Sequence, residues 1–81
     1  MKVQVKLFAV ARQWAGADAV QLDLPAGATV ATARQALLAR LPKLAQFGSQ
    51  LRFAVDADYA NDATPISPGN DVACIPPVSG G

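Results

Sequence analysis

Residues 56–70 read DADYANDATPISPGN, and this stretch decides the fold. Pro65 and Pro68 lack a backbone N–H and break a helix interior, while the Asp, Asn, Ser and Gly around them are turn formers. No second long helix fits here. A ferredoxin-like arrangement, which needs a helix between its last two strands, is thereby excluded.

Strands flank the stretch on both sides. Before it, LRFAVD (residues 51–56) places Leu51, Phe53 and Val55 in phase. After it, DVACIP (71–76) puts Val72 and Cys74 on one face and Ala73 and Ile75 on the other, the alternation of a half-buried strand. With Val72 and Cys74 toward the core, Ile75 is expected to be an exposed apolar residue. Cys74 is read as a small buried hydrophobe, since no basic neighbour in sequence lowers its pKa.

Toward the N-terminus lies the one expected main helix, VATARQALLARL (30–41), with Thr29 as N-cap and Pro42 as its stop. Val30, Ala33, Leu37 and Leu41 form one stripe that can lie across a sheet. Arg34 sits beside the stripe; its stem is expected to cover apolar surface while its head stays in water. Two more strands precede the helix. Val3, Val5 and Leu7 alternate with Lys2, Gln4 and Lys6, and Val20, Leu22 and Leu24 alternate with Gln21 and Asp23. Between them FAVARQWAG (8–16) allows a helical turn or two, ended by Gly16. The expected fold class is α+β: a mixed sheet of four to five strands with one main helix packed across one face.

Composition narrows the chemistry. The 81 residues are 52% apolar, carry a net charge of +1, and include one cysteine, no histidine and no glutamate. A His/Cys zinc site and a Ser-His-Asp device cannot be assembled, so self-contained catalysis is not expected and no metal site is assigned. A single cysteine forms no intramolecular disulfide, which fits a reducing compartment. Seven scattered Lys/Arg make no footprint for nucleic acid. MKVQVKLF shows no signal-peptide pattern and no run approaches the ~20 apolar residues of a membrane span. No membrane association is expected, and the chain is placed in the cytoplasm.

The sequence closes on Pro76-Pro77-Val78-Ser79-Gly80-Gly81. The organisation is read as a domain at 1–75 and an extended tail at 76–81. Two prolines end the strand and hold the backbone extended, and six extended residues reach at most ~20 Å. Two glycines let bare backbone pass through a narrow channel. A terminal carboxylate is an unreactive anion at neutral pH, so its chemistry requires activation by another enzyme.

The ending DVACIPPVSGG, with KLFAVARQWAG (6–16), resembles the small-subunit family of molybdopterin synthase, a family of ubiquitin-like sulfur carriers. Asp56 departs from the family's usual asparagine, and Asn70-Asp71 departs from its usual acidic pair. The resemblance implies a ubiquitin-like β-grasp fold. It implies that an E1-like adenylyltransferase activates Gly81 with ATP and that a sulfur donor converts it to a thiocarboxylate. It implies that the loaded tail enters the large catalytic subunit and gives its sulfur to cyclic pyranopterin monophosphate, in a heterotetramer of two small and two large subunits. No bound cofactor is implied. In that scheme Pro76 and Pro77 aim the tail, Val78 and Ser79 fit the partner's channel, and Gly80 gives access. Arg12, Tyr59 and Ile75 match positions of the partner interface, Arg12 being equally readable as a solvated surface charge; Phe8 is readable as contact or core. Rival readings are a sulfur carrier for thiamin or another pathway, a ubiquitin-like protein modifier, and a plain interaction module.

Overall fold

The alternation of Lys2–Leu7 sets the polarity of the whole sheet. In this strand, β1, Val3, Val5 and Leu7 are buried while Lys2, Gln4 and Lys6 are exposed. The structure, a computed structural model, describes residues 1–77. After β1 come a short helix α1 (Ala9–Ala15), β2 (Ala19–Asp23) and the main helix α2 (Val30–Arg40). A 3-10 segment (Pro42–Gln50) leads to β3 (Arg52–Val55), β4 (Asp58–Ala60) and β5 (Val72–Ile75). The five strands form one sheet in the order β2-β1-β5-β3-β4, with β1 and β5 parallel and every other pair antiparallel. One helix crossing a mixed sheet whose first and last strands pair at its centre is the β-grasp arrangement, as expected.

Local chemistry explains α2. Thr29 is extended, and its N–H donates to Thr32 Oγ1 at 3.1 Å. The N–H groups of Val30 and Ala31, which have no partner inside the helix, donate to the carbonyls of Thr64 and Asp62 at 2.9 and 3.0 Å. The turn-rich stretch, expected to hold no second long helix, thus caps the first one. Pro42 ends α2 on schedule, and the stripe Val30, Ala33 and Leu37 is fully buried against the inward residues of the sheet, Phe53 and Cys74 among them.

Arg34 corrects the expectation of a wet head. Its Nη1 donates to the Leu51 carbonyl at 2.6 Å, its Nε and Nη2 donate to Asp62 Oδ1 at 3.1 and 3.0 Å, and its guanidinium lies 5.0 Å from the Phe53 ring centroid. The side chain is 22% exposed. It ties α2 to the entry of β3 and to the capping loop.

Two elements were not foreseen by position. The 3-10 segment is interrupted at Gly48 (φ 54°, ψ −131°). The edge strand β4 has three residues and lies inside the stretch read as turns. It forms because the β3–β4 connection is a two-residue hairpin, Val55 pairing with Asp58. Both linking residues, Asp56 (φ 51°) and Ala57 (φ 71°), take the positive φ that a type I′ turn demands. Aspartate tolerates this region; alanine is strained there by ~1–2 kcal/mol. We expect Ala57→Gly to raise stability by about 0.5–1 kcal/mol, the relieved strain exceeding glycine's extra unfolded-state entropy; a urea midpoint that falls would refute the assignment.

The two departures from the family pattern touch one another. Asn70 Nδ2 donates to Asp56 Oδ2 at 2.8 Å, and the Asp71 N–H donates to Asp56 Oδ1 at 2.9 Å. An amide N–H and a backbone N–H thus meet the two carboxylate oxygens of Asp56. Among the described residues no helix is long and apolar enough to cross a membrane.

Candidate functional site

The strand that runs into the PPVSGG segment is the middle strand of the sheet. β5 pairs with β1 on one side (Lys6 with Ala73, Leu7 with Cys74) and with β3 on the other (Arg52 with Ile75, Ala54 with Ala73). Its inward residues Val72 and Cys74 are buried, and Ala73 and Ile75 are half-buried on the face that α2 leaves open. Ile75 is thus less exposed than expected. Pro76 is fully buried and Pro77 half-buried. The boundary expected after Ile75 therefore falls at a residue packed into the body, and Pro76 anchors the root of the tail. Val78, Ser79, Gly80 and Gly81, the remaining tail residues, lie outside the described residues.

The open face gathers the other expected site residues. One row across it runs Lys6, Ala73, Ala54, Tyr59, through the register of β1, β5, β3 and β4. Tyr59 is 61% exposed and Phe8 47%, the two large exposed hydrophobic residues among those described. Phe8 is therefore surface and not core. It lines two shallow hollows of the open face, one of about 370 Å³ shared with Lys6, Ala54 and Ala73, the other of about 340 Å³ shared with Arg12 and Asp18. Arg12, on α1, approaches Asp18 at 3.8 Å with both side chains largely in water. Such a pair contributes little to stability, so Arg12 can exchange partners readily.

Tyr59 and Ile75 share the face without being neighbours in register. The residue between them escaped the sequence reading. Arg52 pairs directly with Ile75, and its guanidinium carbon lies 3.9 Å from the Tyr59 ring centroid. A signal was present: Arg52 is out of phase with Leu51, Phe53 and Val55, so it had to face away from the core. Its contact with Tyr59 depends on the tight turn that folds β4 back onto β3.

Cys74 lies at the core beneath this face, fully buried. Burial pushes its thiol up from 9.0 to about 12, against a weaker downward pull from the Arg34 charge. A thiol so held is no nucleophile at neutral pH. The unfolded chain ionises near the ordinary value and binds fewer protons than the folded one above it. The thiol's contribution to stability is therefore full below pH 9.0 and lost as pH climbs toward about 12. We expect the stability advantage of the wild type over Cys74→Ala to shrink across that window in urea titrations. An advantage that holds constant would contradict the burial. Among the described residues no group of three His, Cys, Asp or Glu side chains comes together to hold a metal ion.

Comparison with known proteins agrees with this architecture. The model of the ThiS family matches residues 5–81. A molybdopterin synthase sulfur carrier subunit from Arabidopsis thaliana is 31% identical over the whole chain, covering 84% of that protein. Among solved structures, SAMP1 from Haloferax volcanii superposes with a TM-score of 0.85 at 30% identity, both chains covered in full. A Pyrococcus furiosus protein provisionally named molybdopterin converting factor, subunit 1, gives a TM-score of 0.83 at 30% identity, covering 96% of this chain and 99% of that one.

Proposed function

The chain belongs to the ThiS family, and from that premise we propose that it is the sulfur carrier subunit of a molybdopterin synthase. The observation that carries the reading is the placement of the segment that leads to Gly81. It leaves the centre of the sheet, is pinned by the buried Pro76, and emerges beside an open face with exposed Phe8 and Tyr59. Such a body fixes the point at Pro76 from which the closing segment starts and offers a partner something to grip.

In this scheme the protein is not an enzyme on its own. The Gly81 carboxylate attacks the α-phosphorus of ATP on an E1-like adenylyltransferase, forming an acyl-adenylate and releasing pyrophosphate. Sulfur from a donor then displaces AMP and leaves a thiocarboxylate. The large catalytic subunit receives the tail, and sulfur passes to cyclic pyranopterin monophosphate. Water then cleaves the acyl–sulfur bond, which leaves the sulfur on the pterin precursor and returns the carrier as a carboxylate; two such transfers build one dithiolene. Gly80 gives steric access, Val78 and Ser79 line the partner's channel, Pro76 and Pro77 aim the tail, and Arg12, Tyr59 and Ile75 meet the partner. No resident cofactor is needed, since the sulfur travels on the chain itself. A cytoplasmic heterotetramer of two small and two large subunits completes the proposal.

Reconstitution tests it. The purified protein is incubated with the activating enzyme, ATP and a sulfur donor, and its intact mass is followed for exchange of one oxygen for sulfur. The large subunit and cyclic pyranopterin monophosphate are then added and molybdopterin is measured. A loaded carrier that yields no molybdopterin would move the assignment to thiamin synthesis or another sulfur pathway. Isopeptide conjugates to lysines, with no thiocarboxylate, would move it to a protein modifier.

A further inference from the structure

Arg52 plays no part in the proposed sulfur chemistry, yet it occupies the position nearest the root of the tail. It lies directly across from Ile75, the residue before the anchoring Pro76, and it is exposed. Its guanidinium is stacked on Tyr59 at 3.9 Å. A stacked guanidinium presents its flat face to the ring and leaves its N–H donors pointing outward in the plane. Among the described residues no carboxylate lies within ion-pairing distance of it. Lys6 and Arg12 line one hollow of the open face together with Asp18, which sits beside Arg12. Asp56 and Asp71 lie at the other end of β5 and share a hollow with Lys6; the Asp56 carboxylate accepts from Asn70 Nδ2 and from the Asp71 N–H. Arg52 thus stands at the Ile75 end of β5, held against the Tyr59 ring, with no acidic partner among the described residues.

We propose that Arg52, held flat by Tyr59, docks a carboxylate at the mouth of the channel in the large synthase subunit that receives the tail. The inference rests on the sulfur-carrier function and adds the chemistry of the partner's surface: an Asp or Glu side chain on the channel rim, opposite the residue that pairs with Ile75. Stacking restricts the long arginine side chain before the partner arrives, so less rotamer freedom is lost on docking. A planar fork also fits a carboxylate in bidentate fashion, which a lysine cannot reproduce.

The test is binding of the full-length protein to the purified large subunit, measured by titration calorimetry over a range of salt. Arg52→Glu is expected to weaken binding by about a hundredfold and Arg52→Lys by about tenfold, with the wild-type advantage narrowing as salt rises. Tyr59→Phe should weaken binding less than Tyr59→Ala, because the ring and not the hydroxyl holds the guanidinium. In a double-mutant cycle, Arg52→Ala and Tyr59→Ala should together cost less than the sum of the two alone. Melting temperatures establish that each variant is folded, and a variant that unfolds is replaced in the comparison by Arg52→Gln. Arg52→Glu binding within twofold of the wild type overturns the inference. Failure of the wild type itself to bind the large subunit overturns the proposed function instead, so the two failures are distinguishable.

Discussion

Deletion of Gly81 is expected to abolish molybdopterin formation while leaving the body of the protein as stable as before. Among the described residues the body's core runs from Val3 to Pro76. The chemistry depends on the last residue. Shortening the tail by one residue withdraws the reacting carbon by ~3.3 Å, and misplacement by about 1 Å already costs roughly a hundredfold in a positioned reaction. One added residue after Gly81 should be equally damaging, for the same geometric reason in the opposite direction. The measurement is molybdopterin yield in the reconstituted system, with the melting temperature as the control for folding. Normal yield from the shortened chain would end the sulfur-carrier reading.

Phe53→Ala should have the largest effect on stability. Phe53 is fully buried in β3, at the head of the largest buried side chains, with the Arg34 guanidinium 5.0 Å from its ring centroid. Truncating a buried phenylalanine costs about 3–5 kcal/mol. A chain of this size has only about 4–12 kcal/mol in total, so the variant should lose much of its two-state urea transition. Phe53→Leu, which keeps most of the volume, should cost under about 1.5 kcal/mol. Equal urea midpoints for Phe53→Ala and the wild type would mean that the core is centred elsewhere.

Much of this fold was legible because burial writes itself into spacing. The alternations at Val3, Val5 and Leu7 and at Val72 and Cys74, and the stripe Val30, Ala33, Leu37, each appear in the structure as buried positions. The breakers were legible too: Gly16 in the left-handed region ends α1, and Pro42 ends α2. What escaped was decided by contacts between residues far apart in sequence. β4 has too few residues to show a period, and it exists because a tight turn hands it to β3. Arg34 beside an apolar stripe gave no sign that the Leu51 carbonyl and Asp62 would meet it. In the site, Tyr59 and Ile75 were placed by resemblance, whereas Arg52 needed the register of β3 against β5 to be noticed. Pro76 read as the first residue of a tail because a proline looks like punctuation; only packing shows it buried.

The central place of β5 bears on how the molecule behaves when it is handled by others. Thermal breathing in a sheet begins at its margins, here β2 and the three-residue β4, and reaches the middle strand last. The amides of β5 should consequently be among the slowest to exchange with deuterium. A carrier is repeatedly gripped, loaded and released, and partial fraying at either margin would leave Ile75 and Pro76, from which its closing segment starts, undisturbed.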